Sequence, residues 1–163
     1  MARRTENALD ALDRKILAAL QQDATRPLED LASLVGSSKT PVWNRIKRMR
    51  DSGIIKKQVA ILDPEAVGAG VCFHMLIRTS EHEAGWLETF MEAIQDQPEI
   101  VAAHRLAGDI DYILTVRVPD VQAFDGFYRR LISKVKIFNV TSLLSMEEIK
   151  STSELPIQQP DED

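Results

Sequence analysis

The sequence predicts an α+β chain of two modules, an N-terminal three-helix helix-turn-helix domain joined to a C-terminal βαββαβ ferredoxin-like sandwich. Three observations lead there. Apolar residues recur at helical spacing in three short runs up to Gly53, each run bounded by capping or breaking residues. Beyond Gly70 the pattern alternates between strand-like and helix-like segments in the order β-α-β-β-α-β. The charge also divides: residues 1–58 hold 12 Lys and Arg against 7 Asp and Glu, a net of +5, whereas residues 59–163 hold 8 against 18, a net of -10. A chain whose net charge is -5 thus carries a basic front half suited to a polyanion and an acidic rear half that is not.

Taken in order, Asp10 is placed to cap a first helix, with Asp13 three residues on and Leu9, Leu12, Ile16, Leu17 and Leu20 forming one stripe. A second helix starts around Pro27, carries Leu28, Leu31, Leu34 and Val35, and stops at Gly36. The third begins at Ser37-Ser38, tolerates Pro41 in its first turn, turns Val42, Ile46 and Met49 inward, and ends at Ser52-Gly53. The branched residues of Ile54–Leu62 predict an extended segment, broken by Asp63-Pro64, with a module boundary at Gly68-Ala69-Gly70. The domains expected are therefore 1–56 for the helix-turn-helix, 57–70 for an extended linker, and 71–163 for the sandwich with its C-terminal tail. Within the last, strands are expected at Val71–Arg78, Ile100–Leu106, Asp111–Val118 and Val140–Lys150. The helices between them bear Trp86, Leu87, Phe90, Met91 and Ile94, and, after an Asp120 cap, Val121, Phe124, Phe127, Tyr128, Leu131 and Ile132. Both helices of such a sandwich lie on one face of the sheet, which leaves a face or edge for self-association.

At about 100° per residue, the direction opposite Val42, Ile46 and Met49 is taken by Thr40, Asn44, Lys47 and Asp51, with Arg48 close by and Lys39, Trp43, Arg45 and Arg50 on the flanks. Two cations, an amide and a hydroxyl on one stripe are the chemistry of a helix in a major groove, where Arg or Lys meets guanine, Asn meets adenine and hydroxyls meet phosphate. The amides near Ser38 add a phosphate contact. An ordinary solvated face would also carry such cations; the preceding short helix, its Gly36 turn and the local charge favour double-stranded DNA as partner.

Several segments resemble one known family. They are Leu12-Asp13-Arg14-Lys15-Ile16-Leu17, Leu31-Ala32, Val35-Gly36 and Thr40 to Met49, then Gly53-Ile54-Ile55, Leu62-Asp63-Pro64, Gly108-Asp109-Ile110-Asp111-Tyr112 and Met146 to Ile157. In order and spacing they are similar to the Lrp/AsnC, or feast/famine, regulators, and the tail resembles a branch controlling amino-acid catabolism genes. The resemblance implies a winged or plain helix-turn-helix whose third helix reads DNA. It also implies a homodimer, often gathered into rings of dimers such as an octamer, with an amino-acid effector between dimers. DNA contacts then fall on Ser38, Lys39, Thr40, Asn44, Arg45, Lys47 and Arg48.

For the effector, the loop Leu106-Ala107-Gly108-Asp109-Ile110-Asp111 offers exposed amides to a carboxylate and Asp111 to an α-ammonium group. The residues alone fit equally a tight turn capped by Asp111. The resemblance implies that Leu106, Ala107, Gly108, Asp109 and Asp111 bind the effector, with Ser142 brought in by a neighbouring dimer. Two departures bear on this: His104 stands where relatives often have Tyr, and Lys134-Val135-Lys136-Ile137 replaces the usual Pro-Gly turn.

Other residues point elsewhere. His74, His82 and His104 lack metal-ligand spacing, and Cys72, the only cysteine, excludes an internal disulfide and is expected in the core. No apolar run approaches the roughly 20 residues of a membrane span, and the polar start Met1 to Glu6 lacks a secretory pattern, so a cytoplasmic protein is expected. The acidic pair Glu147-Glu148 and the tail Asp161-Glu162-Asp163 are expected to be solvated surface. No phosphate-loop, nucleophile-elbow or dinucleotide motif is present, so neither a cofactor nor an enzyme is expected. An effector-independent architectural DNA binder and an enzyme on a ferredoxin-like scaffold stand as the alternatives.

Overall fold

The computed structural model describes residues 9–79 and 84–157. Met1 to Glu6, His82 and Asp161 to Asp163 lie outside the described residues. The elements run α1 (Ala11–Gln22), α2 (Leu28–Leu34), α3 (Lys39–Asp51), β1 (Val71–Arg78), α4 (Ala84–Gln95), β2 (Ile100–Arg105), β3 (Tyr112–Val118), α5 (Val121–Lys134) and β4 (Asn139–Leu144). They form two compact units, one within Met1–Ala60 together with Lys150–Asp163, the other Ile61–Ile149.

In the helical unit Asp10 caps α1 reciprocally. Its carboxylate accepts from the Asp13 amide at 2.9 Å, and the Asp13 carboxylate accepts from the Asp10 amide at 3.2 Å. Helix α2 ends on Gly36 at φ 70°, a left-handed residue that allows the Gly36 and Ser37 amides to reach back to the Ser33 and Ala32 carbonyls at 3.1 and 2.9 Å. That closure makes the turn between α2 and α3. The buried residues Ile16, Ala19, Leu31, Ala32, Val35, Val42, Ile46 and Met49 form one core, against which Ile54 and Ile55 also pack.

The second unit is a four-stranded antiparallel sheet in the order β2-β3-β1-β4. Phe73, Met75 and Ile77 of β1 and Tyr112, Leu114 and Val116 of β3 alternate toward a core completed by Trp86 and Phe90 of α4 and Phe127 and Leu131 of α5. Both helices therefore cover one face. Asp120 caps α5, its carboxylate accepting from the Ala123 amide at 2.7 Å. Trp86, Phe90, Phe124, Phe127 and Tyr128 all join this core, as their helical spacing predicts.

The structure departs from the sequence-based expectation at four places. Ile54–Leu62 forms no strand: Ile54 and Ile55 are drawn onto the helical core, and Lys56 to Leu62 are exposed without a ladder partner, so the helix-turn-helix is plain among the described residues. The last strand stops at Leu144 because its partner β1 begins at Val71, and the final link is the Ser145 amide to the Cys72 carbonyl at 2.9 Å. Cys72 is half-buried on the face of the sheet away from the helices rather than in the core, beside Arg117 on β3, and burial pushes its thiol pKa up. The units divide between Ala60 and Ile61, and the tail from Lys150 groups with the helical unit, where the Gln21 side-chain amide both accepts from the Leu155 amide at 2.7 Å and donates to its carbonyl at 3.1 Å.

Candidate functional site

Helix α3 is fixed by what it buries. Val42, Ile46 and Met49 are sealed in the helical core, and Thr40, Asn44, Lys47 and Asp51 are exposed on the side facing away. Ser38 stands at the cap position in extended conformation, but its hydroxyl makes no capping bond. The first amides of the helix, those of Lys39 and Thr40, have no intrahelical acceptor and add the positive end of the helix dipole. The side chains of Thr40, Asn44 and Lys47 make no hydrogen bond or ion pair among the described residues.

The other cations of α3 are engaged. Lys39 pairs with Glu29 of α2 at 2.8 Å on the surface. Arg50 Nη2 donates to the Gln58 side-chain Oε1 at 2.7 Å. Arg45 Nη1 bridges Asp10 Oδ2 at 2.6 Å and Asp13 Oδ1 at 2.8 Å, and Arg48 Nη2 pairs with Asp13 Oδ2. The Asp13 side chain is only 1% exposed. Its carboxylate offsets the cost of leaving water with two guanidinium partners and the Asp10 amide. The Asp10 carboxyl is held below the usual carboxylate range, first by the Asp13 amide and then by Arg45; Arg45 is raised, first by Asp13 and then by Asp10. A carboxylate depressed in the folded state stabilises above its unfolded pKa near 4 and loses that contribution as pH falls through the folded value. The helical unit is therefore expected to loosen in acid.

Arg48 is thus not the outward, unoccupied cation that the helical wheel suggests. Its guanidinium and that of Arg45 are tied to the start of α1, although the Arg48 side chain stays 49% exposed; the other flank bears Lys39 and Arg50, also paired, and Trp43, half exposed at 50%. Sequence reasoning did not select Trp43 as a site residue. The acids that redirect the arginines lie 32 to 35 residues upstream, beyond any local pattern. The signal available was the indole itself, a large ring on an otherwise cationic helix.

In the second unit the loop after β2 is closed by the Leu106 amide donating to the Asp111 carbonyl at 2.8 Å, with Gly108 at φ 145°, a conformation L side chains rarely adopt. Leu106, Ala107, Gly108 and Asp109 are exposed, and the amides of Ala107, Gly108, Asp109 and Ile110 donate no hydrogen bond among the described residues. Successive unpaired amides of this kind suit an anion. Asp111 is half-buried: its amide donates to the Ile77 carbonyl at 3.0 Å, and its Oδ2 accepts from the Thr79 amide at 2.8 Å, tying the end of β1 to the loop. One carboxylate bond leaves acceptor capacity unused. His104 is exposed on β2 opposite Ile113, on the face away from the helices. Ser142 lies on β4 opposite Met75, at the other edge of the sheet and on the helix side. Three strand spacings of about 4.8 Å separate the edges, so within one chain Ser142 does not meet the loop.

A helix-turn-helix whose third helix exposes a polar stripe opposite its buried one, followed in sequence by a ferredoxin-like unit with an amide-lined loop, defines the class of helix-turn-helix transcriptional regulators. Comparison with known proteins agrees. Residues 9–50 match the AsnC-type helix-turn-helix domain and residues 72–155 the Lrp/AsnC ligand binding domain. The DNA-binding transcriptional activator DecR of Escherichia coli K12 is 44% identical over 92% of this chain and 99% of its own length. An AsnC family transcriptional regulator from Agrobacterium tumefaciens superposes with a TM-score of 0.88 at 48% identity, covering 90% of this chain and 96% of that one. A transcriptional regulator from Neisseria meningitidis, solved as its L-Met complex, superposes at 0.87 with 30% identity, covering 91% and 97%. The chain belongs to the Lrp/AsnC family of DNA-binding transcriptional regulators, and so stands among regulators rather than enzymes. Among the described residues no helix is long and apolar enough to cross a membrane.

The ion-pair cluster yields a direct test. Asp13→Asn keeps the shape but removes the buried charge. Breaking a fully buried pair costs about 3–5 kcal/mol, and because both arginines reach water the expected loss is about 2 kcal/mol. Urea unfolding followed by helical circular dichroism checks it; an unchanged midpoint would show that the cluster holds nothing.

Proposed function

We propose that α3 enters the major groove with Thr40, Asn44 and Lys47 toward the base edges, while Ser38, Lys39 and the first amides of the helix meet the phosphates. Arg45 and Arg48 back the helix from one flank, fixed by Asp13, and direct their remaining N–H groups to the phosphate backbone. The observation that carries this is the exposed, unpartnered stripe Thr40-Asn44-Lys47 directly opposite the sealed stripe Val42-Ile46-Met49. Two such helices in a homodimer would read a pseudo-palindromic site in the cytoplasm. The sheet face away from the helices supports that pairing, since it carries Leu76, Ile113 and Leu143 and leaves Leu143 half exposed.

The Ala107–Ile110 amides are proposed to hold the carboxylate of an amino-acid effector and Asp111 to accept from its α-ammonium group, with His104 at the mouth and Ser142 supplied by another dimer. The sheet order supports delivery of Ser142 in trans, and the L-Met complex of the Neisseria relative supports the effector class. An effector bridging dimers favours whichever assembly, such as an octamer, it binds better, and so changes the spacing of the reading helices. An architectural binder without effector is the second reading, because Asp111 already serves the loop structurally.

Lys47→Ala is expected to weaken binding about tenfold at a duplex selected by the protein and less at unrelated ones, and, by removing a cation from the groove, to lower the slope of log Kd against log salt by about one, with unchanged thermal unfolding. Anisotropy titrations at several salt concentrations measure both, and an unaltered slope would take Lys47 off the DNA. For the effector, a thermal-shift screen of the amino acids is expected to yield at least one that raises Tm. Asp111→Asn, which keeps the acceptor for Thr79, should abolish that rise while leaving the ligand-free Tm in place; a rise that survives the substitution removes Asp111 from the site.

A further inference from the structure

The chain has two tryptophans, and the fold treats them in opposite ways. Trp86 is 8% exposed, stacks on Phe90 at 5.0 Å and donates its Nε1–H to the Lys136 carbonyl at 2.7 Å. Trp43 is half exposed in the middle of α3 and has neither a ring contact nor a hydrogen bond among the described residues. Lys39 at i−4, Thr40 at i−3 and Lys47 at i+4 share its side of the helix. On the opposite flank Arg45 and Arg48 are tied to Asp13, although the Arg48 side chain is 49% exposed, and on its own flank Lys39 and Arg50 are paired with Glu29 and Gln58. The indole is thus the large apolar group that α3 leaves open beside Thr40 and Lys47.

We infer that Trp43 is a base-reading residue that recognises thymine through its C5 methyl group. This rests on α3 being the reading helix. An uncharged indole gains nothing comparable to Lys or Arg from a phosphate, and a helix does not fit the roughly 6 Å minor groove. Every base edge in the major groove offers donors or acceptors, and thymine alone adds a methyl, beside its O4 acceptor. An exposed aromatic ring beside Thr40 and Lys47 is complementary to that methyl and buries apolar surface on both partners.

The test uses the full-length protein and a duplex selected by it from a random pool at fixed salt. Each thymine is replaced singly by uracil, which deletes only the methyl, and Kd is measured by anisotropy for the wild type, Trp43→Ala and Trp43→Phe, each checked for folding by circular dichroism. The wild type is expected to lose about fourfold at one thymine of each half-site, the worth of one buried methyl. Trp43→Ala should bind the parent duplex more weakly and show no difference between thymine and uracil there, with penalties elsewhere unchanged. Trp43→Phe, which keeps a ring, should retain part of the difference and decides the matter if the alanine variant does not fold. Uracil penalties that are absent from the wild type, or that persist unchanged in the folded variants, overturn the inference while leaving α3 as the reading helix. A pool that yields no duplex, or a Lys47→Ala variant with unaltered salt slope, overturns both.

Discussion

The carboxylate of Asp13 lies out of water in the first turn of α1, and what surrounds it accounts for much of the helical unit. It completes the cap of its own helix through the Asp10 amide, and it receives Arg45 and Arg48 from successive turns of α3. A charge so placed is tolerated only while its partners remain. The axial rotation of α3 is accordingly fixed twice, by Val42, Ile46 and Met49 entering the core and by two arginines reaching one buried acid. Either constraint alone leaves the helix some freedom to roll; together they leave Thr40, Asn44 and Lys47 facing outward.

This arrangement also changes the meaning of the basic front half. The +5 of residues 1–58 suggests a helix dense in available cations, yet on α3 Lys39, Arg45, Arg48 and Arg50 all have partners and Lys47 has none among the described residues. The summed charge of the segment still favours approach to a polyanion. On the proposed reading, local recognition rests on fewer groups: an amide, a hydroxyl, one ammonium and an indole. Positioned arginines serve such a surface well, because a planar guanidinium held by one carboxylate keeps other N–H groups for a phosphate.

Much of the fold was legible in the sequence because its signals are local. Asp10 and Asp120 cap where their spacing to the following helix predicts, Gly36 turns where a left-handed residue is needed, and the alternation in Val71–Arg78 matches β1 residue for residue. The core of α3 and the outward stripe followed from the helical period. What escaped depends on distant partners. No periodicity announces that Asp13 captures Arg48, that β4 ends with the start of β1, or that Gln21 holds Leu155 across the length of the chain. Ile54–Leu62 has strand composition but no neighbouring strand to pair with, and composition alone does not supply one. The loop after β2 was legible as glycine chemistry, while the strand order that sets Ser142 apart from it emerged only from the register.

The central claim, that α3 presents its Thr40-Asn44-Lys47 side to the major groove, is tested most directly by disulfide cross-linking. In a Cys72→Ser background, a single cysteine is introduced as Asn44→Cys, or as Arg14→Cys on α1 for comparison, and mixed with the selected duplex carrying a mixed disulfide tethered to a major-groove base edge, from which the cysteine thiolate expels a small thiol as the cross-link forms. Rapid cross-linking is expected from position 44 at one base position of each half-site and none from position 14. Cross-linking from position 14 with none from position 44, or position 44 reacting only with a minor-groove tether, would contradict the claim.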